Sequence, residues 1–521
     1  MNQESKKTII DLTALEARNF LLLNKSYCNF DLPHYFNFQP ILDASRSIIE
    51  QEQSVDKCRK ANYSNYDRVN YSVIANKDSN YSWREMQLIH PLLYTDLVYE
   101  ITQEKHWETL NLCFSKYRHS EYISVASLPV IPQNTKKKQT AEQISTWYEL
   151  VELATFELFL KYDYVAFTDI SSCYPSLYTH AIAWAVNGEK EEKNRLNPNG
   201  VNKIKKSIGN TIDEKIQRMS YGETKGIPQG NLLMDFIAEL LLAYIDHLLV
   251  NSLQEKSIKY HIVRYRDDYR IFAETQQDVE VILKELAKLM FRFGFSLNRE
   301  KTSIERVSAS VAMKKDKLDT ILSGLKDKVR RLKSRRLPFV EIKEVLLQIL
   351  AFSQRFPNSR QLKSLVASFR KQIRSIKTMP SAEAKALISI TTEIAYNAPE
   401  VYPQATALLS TLMKQLNDGE KTSLLEAILR KFNTLPHVDL LEIWLQRLSL
   451  AMPTEKQNEP ISNICKVVKN GAPSLWNSKW LKDAFRLKIE SCPIIDKNKI
   501  DSMSFIVSQD EVDCFVPPYD D

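Results

Sequence analysis

Glycine is scarce and unevenly spread in this chain of 521 residues, and that placement limits the folds open to it. None occurs before Gly188, six of the ten fall between Gly188 and Gly230, and four follow. Long stretches without glycine favour helix, whereas the cluster marks a place where the backbone turns tightly or lies against something. The flanks do read as helical. Residues 1–160 are expected to be mostly helix, with apolar positions at helical spacing from Trp83 to Phe114. Asn62–Tyr81 reads as a loop, and Lys136–Lys138 as a solvent-exposed polar stretch.

The middle has a different texture. Tyr164–Ile170 is a compact β-prone run, Leu232–Val250 an apolar helix, and Val279–Phe293 a second helix. Tyr260–Ala273 reads as two strands meeting at Asp267–Asp268, a hairpin. Residues 161–310 are therefore expected to form an α+β domain. From 311 onward helix returns: a basic helical segment over 311–378, then an all-α region over 379–521. Helix pairs there start at Glu341, Ala382 and Ser423, a spacing of roughly 40 residues that falls in the range of helical repeats. An irregular bundle is the alternative. The final FVPPYDD reads as an extended tail.

Hydrophobic residues at 44% and charged residues at 26% suit a folded, water-soluble chain. No apolar run reaches the roughly 18 residues that span a bilayer, and the N-terminus lacks the order of a secretory signal. The expectation is a cytoplasmic protein without a membrane partner. Seven scattered cysteines, odd in number and without CxxC spacing, argue against a disulfide framework or a zinc site.

Four short motifs carry the chemistry. FTDISSCYPSLY (Phe167–Tyr178) opens at the end of a β-run and contains Asp169, and TKGIPQG (Thr224–Gly230) lies in the glycine cluster. YRDD (Tyr265–Asp268) sits at the hairpin tip, and FGFSLNREKT (Phe293–Thr302) follows. Joining a nucleotide to a hydroxyl builds negative charge on both the attacking and leaving oxygens, and two cations about 3.5–4 Å apart stabilise both. Magnesium takes oxygen ligands in octahedral array, so carboxylates from neighbouring strands suit it. Asp169, Asp267 and Asp268, with the Ile170 carbonyl, are the expected cage for Mg2+ or Mn2+. Taken alone, Asp-Asp is more often a turn. In the second motif, Gly226 and Gly230 bracket Pro228 and would let the backbone approach a base pair or sugar, with Gln229 hydrogen-bonding the nucleotide.

In this order the four motifs resemble the palm of reverse transcriptases, over about 160–305. Through that resemblance Asp169 and the YRDD box correspond to the catalytic acids, and Tyr174 to an aromatic gate that collides with a ribose 2′-hydroxyl. Gly294, Leu297, Asn298 and Lys301 correspond to the following motif, whose lysine would protonate the leaving pyrophosphate. Departures from the usual pattern are Arg266 in place of a small residue, Asn231–Leu232 in place of Ser-Pro after GIPQG, and Cys173-Tyr174-Pro175. With the segments Leu88–Thr102 and Ile388–Leu412, these are similar to bacterial abortive-infection and other defence-associated reverse transcriptases. That branch joins the palm to a HEAT-like helical domain and protects the host against phage. The resemblance implies dNTP substrates, a DNA product made without a template or copied from a partner noncoding RNA, and a homo-oligomer. A protein tyrosine could serve as primer, with Tyr35, Tyr63, Tyr66, Tyr71 and Tyr81 as candidates. An idle palm serving only as scaffold for a helical sensing module is the alternative that is not an enzyme.

Between Lys326 and Lys377 stand fifteen Lys/Arg against three Asp/Glu, in a chain whose net charge is +7. Lys326, Lys328, Arg330, Arg331, Lys333, Arg335 and Arg336 crowd one end. Arg360, Lys363, Arg370, Arg374 and Lys377 recur at helical spacing and are expected to line one face. Such an excess of one sign points to a nucleic-acid backbone, as a polymerase thumb would follow it.

Overall fold

The computed structural model describes residues 7–77, 81–119, 121–131, 148–195, 207–332, 338–376, 378–453, 457, 459–471 and 474–512. Lys136–Lys138, Lys333, Arg335, Arg336, Lys377, Cys514 and the FVPPYDD tail lie outside them.

The N-terminal part is helical but carries a hairpin that the sequence reading missed. Strands β1 (Tyr71–Asn76) and β2 (Trp83–Leu88) pair antiparallel, Tyr71 opposite Leu88. Helix thus does not begin at Trp83, and Asn62–Tyr81 is not all loop. The reason is local: Pro91 cannot sit inside a helix, and it opens α1 (Pro91–Ile101) instead, with the His90 side chain accepting from Leu92 N. Helix α2 (Glu104–Tyr117) follows.

The sheet at the centre has five strands in the order β3-β5-β6-β4-β7. These are β3 (Ile123–Val125), β4 (Tyr164–Asp169), β5 (Tyr260–Tyr265), β6 (Asp268–Ala273) and β7 (Ser303–Arg306). β3 runs parallel to β5 and the other pairs are antiparallel. Against it packs α3 (Leu232–Leu253), a 22-residue helix buried along almost its whole length and capped by the Asn231 side chain on Met234 N. α4 (Gln276–Arg292) lies beside it on β4 and β6.

The C-terminal helices form pairs. α5 (Phe339–Arg355) and α6 (Arg360–Ile373) are followed by α7 (Ser381–Asn397) and α8 (Tyr402–Leu412), then α9 (Asp418–Phe432) and α10 (Asp439–Ser449). α5 packs on α7, α6 on α8, and α8 on α10, so each pair lies on the next around a core of its own.

The chain then turns back. Residues of 464–494, among them Trp476, Trp480 and Leu481, are buried in the core formed by the N-terminal helices and the palm, not in that of the helix pairs. Leu481 bridges Arg59 and Ile495 bridges Phe36, and the Trp476 indole donates to Leu88 O at 3.0 Å. Sequence alone assigned 379–521 to one helical unit; packing divides those residues between two cores. Cys28, Cys58, Cys113, Cys173, Cys465 and Cys492 are free thiols. Among the described residues no helix is long and apolar enough to cross a membrane.

Candidate active site

The strand register brings the acids together. Asp169 ends β4 and stands opposite Asp268, the first residue of β6, while the turn between β5 and β6 consists of Arg266 and Asp267. Ile170 N donates to Asp267 O at 3.1 Å, which fastens the end of β4 to that turn. The fourth motif closes over the same point: Asn298 N donates to Asp169 O at 2.8 Å, Ser171 N to Ser296 O at 2.8 Å, and Leu297 bridges Ile170. Lys301 Nζ donates to Asp169 Oδ2, and Lys314 Nζ stands 3.5 Å from Asp268 Oδ2.

The electrostatics follow from crowding. Burial, then the charges of Asp268 and Asp169, push the Asp267 carboxyl above the ordinary aspartate range. Burial works against the charge of Lys301, but Asp169, Asp268 and Asp267 outweigh it and raise its pKa. Among the described residues no group of three or more His, Cys, Asp or Glu side chains stands in an arrangement that could hold a metal ion as it is. The donor set nevertheless fits a hard cation. Asp169 is only 4% exposed, and its Oδ1 is buried without any hydrogen-bond partner. A bare carboxylate oxygen beside two further acids is what a divalent ion would satisfy. Asp169, Asp267 and Asp268 are the residues that would hold it.

TKGIPQG lies beneath Tyr174. Gly226 N donates to Leu177 O at 2.7 Å and Ile227 N to Tyr174 O at 3.1 Å. Gly226 has φ +91°, and a Cβ there would come within 3.3 Å of Pro175 O. At Gly230 (φ +121°) a Cβ would meet the Phe30 ring at 3.1 Å. Both glycines are required by close approaches within the chain itself. Pro228 is buried and Gln229 partly exposed. The Gln229 carbonyl accepts from Gln87 N at 2.7 Å, joining the loop to β2.

Tyr174 is fixed by a residue that sequence reading overlooked. Its hydroxyl donates to Asp235 Oδ1 at 2.5 Å, and Arg266 donates to Asp235 Oδ2 at 2.9 Å. Burial, then the Asp235 charge, hold the phenol well above its usual pKa, so it remains a donor. Arg266 has φ +54°, unusual without glycine. Its N–H donates to Ser127 Oγ at 2.6 Å and its carbonyl accepts from Arg264 at 3.2 Å. Arg264 in turn is fully buried against Glu239 (2.5 Å) and Asp246 (2.7 Å). A signal existed: Asp235, Glu239 and Asp246 interrupt an apolar helix at i, i+4 and i+11, one face.

The family described as reverse transcriptase (RNA-dependent DNA polymerase) matches residues 103–333, a span that contains all four motifs and the three acids. The chain carries a reverse transcriptase domain. It is a nucleotidyltransferase of the RNA-directed DNA polymerase type, a class that generally uses divalent metals such as Mg2+. No curated protein matches the chain. Among solved structures, apo telomerase from Candida tropicalis aligns at 13% identity and TM-score 0.31, covering 77% of this chain and 72% of its own. Telomerase from Candida albicans in complex with a fragment of telomeric RNA gives 12%, 0.28, 73% and 68%.

Outside the reverse transcriptase domain's acids the basic segment divides. Lys328, Arg330 and Arg331 are exposed on the helix Leu325–Arg331, with Lys326 half-buried beside them. The expected single face on α6 does not exist. Arg360 and Arg374 are exposed, but Arg370 is 3% exposed and donates to Val507 O and to Thr411 Oγ1. Lys363 pairs with Glu400 at 3.1 Å and Asp31 at 3.8 Å. Helical spacing put these cations in line, but one flank of that line faces neighbouring elements.

Proposed function

We propose that the reverse transcriptase domain extends DNA from dNTPs, with Asp169, Asp267 and Asp268 as its metal ligands and the Ile170 carbonyl completing the set. What carries this is the Asp169–Asp268 register, together with a buried Asp169 oxygen that has no partner of its own. Divalent ions held there would neutralise charge at the attacking and departing oxygens. Lys301, which donates to Asp169, would give a proton to the leaving pyrophosphate. The ring of Tyr174 would sit under the sugar and exclude a 2′-hydroxyl, and Gln229 would contact the nucleotide. Lys328, Arg330, Arg331, Arg360 and Arg374 would meet the phosphate backbone.

In the same proposal the enzyme acts in antiphage defence, makes DNA without a template as a homo-oligomer, and starts from a tyrosine. Support comes from the departures at Arg266 and Asn231, and from the segments Leu88–Thr102 and Ile388–Leu412. The helix pairs would then be the HEAT-like repeat of that branch. Of the tyrosines before the palm, Tyr35 and Tyr63 are buried and the Tyr71 hydroxyl accepts from Ile464 N. Tyr81, 92% exposed beyond the end of β1, is the most exposed of the candidates and would be the residue that accepts a nucleotide. The rival is synthesis templated by a bound RNA, favoured by the RNA-dependent activity of the matched family.

One experiment separates them. Nuclease-treated full-length protein is incubated with dNTPs and Mg2+, and the product is sequenced and tested for attachment to protein. Irregular sequence covalently bound at Tyr81 supports the proposal. Loss of product on RNase treatment supports the templated rival. An Asp267→Ala variant that still makes DNA would remove the assignment of the acids.

A further inference from the structure

Arg266 is the one residue of the catalytic hairpin that does not fit a minimal polymerase box, and the structure accounts for where its side chain goes. It turns inward to Asp235, whose other carboxylate oxygen receives the Tyr174 hydroxyl. Asn29 Nδ2 adds a third contact, to Asp235 Oδ2 at 3.2 Å. Asp235 is 6% exposed and lies in the first turn of α3, where the helix dipole favours a negative group. A small cavity lies between these groups, lined by Ser127, Cys173 and Ala238 as well.

We propose that Asp235 and Arg266 are positioning residues for sugar selection, clamping the hydroxyl end of Tyr174 so that its ring cannot yield to a ribonucleotide. The proposal rests on the reading of Tyr174 as the gate given above. A steric gate discriminates only as well as it resists being pushed. A tyrosine ring turns about two torsions, and an anchor only at its Cα leaves the far end free to swing. Here the far end is tied by a short, charge-assisted hydrogen bond to a carboxylate. That carboxylate is itself held by the Arg266 guanidinium and the Asn29 amide.

Because Arg266 lies between Tyr265 and Asp267, the same side chain ties the gate to the hairpin that carries the acids. Sugar clearance and the position of Asp267 are thereby set by one frame. Asp235 and Arg266 also depend on one another. A small side chain at 266 would leave a buried carboxylate with two uncharged partners, and a neutral residue at 235 would strand a half-buried guanidinium.

The test is single-nucleotide incorporation of a dNTP against the matching rNTP by the full-length enzyme with Mg2+, kcat and KM measured separately. Tyr174→Phe, Asp235→Asn and Arg266→Ala are each expected to reduce discrimination by roughly tenfold or more, as loss of a hydrogen bond to a charged group would. The change should fall chiefly on the KM of the rNTP, with Arg266→Lys restoring part of it. Tyr174→Ala, which removes the ring, is expected to relax discrimination further. Tyr174→Phe removes a single oxygen and keeps the packing, so it decides the matter even if Arg266→Ala fails to fold. Wild-type discrimination in Tyr174→Phe and Asp235→Asn, with Tyr174→Ala relaxed, overturns the clamp and leaves the gate standing. Unchanged discrimination in Tyr174→Ala removes the gate itself, and the clamp with it.

Discussion

Lys301 reaches across 132 positions of sequence to place its ammonium on the carboxylate of Asp169. The contact joins the last of the four motifs to the first, and its net effect is to keep the lysine protonated beyond its ordinary range. Replacing Lys301 by Met is expected to lower kcat about 100-fold, the scale of a lost general acid, with a smaller change in KM. Steady-state incorporation measured against pH checks this. The wild type should hold its rate to a pH above the usual lysine value, and the variant should lack that alkaline limb.

Asp267 offers the opposite sign. Its carboxyl titrates above 3.8 because burial and two neighbouring acids disfavour the charge. The folded protein therefore binds that proton more readily than the unfolded chain does. Relative to Asp267→Ala, the wild type should gain stability as pH falls through the raised value, while its activity fades over the same range. At neutral pH the alanine variant is expected to lose at least about 1,000-fold in incorporation. Its thermal midpoint should stay the same or rise. Paired melting curves and activity profiles from pH 4 to 8 test both halves.

Arg264 is a structural matter. It is fully buried with Glu239 and Asp246, so Arg264→Met would strand two carboxylates inside the protein. A loss of about 3–5 kcal/mol is expected, read by urea unfolding. A triple replacement, Arg264→Met with Glu239→Leu and Asp246→Leu, should recover most of it. If the single variant unfolds like wild type, the buried cluster has been misjudged.

The two kinds of cation in the basic segment should behave differently. Arg370 donates to the Val507 carbonyl from inside the helix pairs, so Arg370→Gln is expected to lower stability and leave nucleic-acid binding unaltered. Neutralising Lys328, Arg330 and Arg331 together should do the reverse. The slope of log K against log salt should fall by roughly 0.7–0.9 for each cation that meets a phosphate. A titration at four salt concentrations distinguishes the two.

What could be read from the chain beforehand followed a physical pattern. Elements with a strong local signal were legible: β4, the β5–β6 hairpin, the apolar α3, and the four motifs that the fold brings side by side. Features set by distant partners were not. β1 needed β2 on the far side of an unpromising stretch, and Pro91 was the overlooked sign that helix could not start at Trp83. Arg370 and Arg374 look alike in sequence, and only the packing of α6 decides which is covered. Asp235 was passed over because acids on one face of an apolar helix show no partner until the hairpin is folded onto them.

The return of the last segment has a consequence for how the protein is made. Trp480, wholly buried beside Tyr63 and His90, plugs a hole in the half of the molecule that bears Asp169, Asp267 and Asp268. A ribosome that has delivered the entire reverse transcriptase domain, and even all three helix pairs, has still not delivered that plug. The nascent enzyme accordingly stays incomplete until the residues beyond the helix pairs have been made, and a message stopped before Trp480 yields a chain with its polymerase half unsealed.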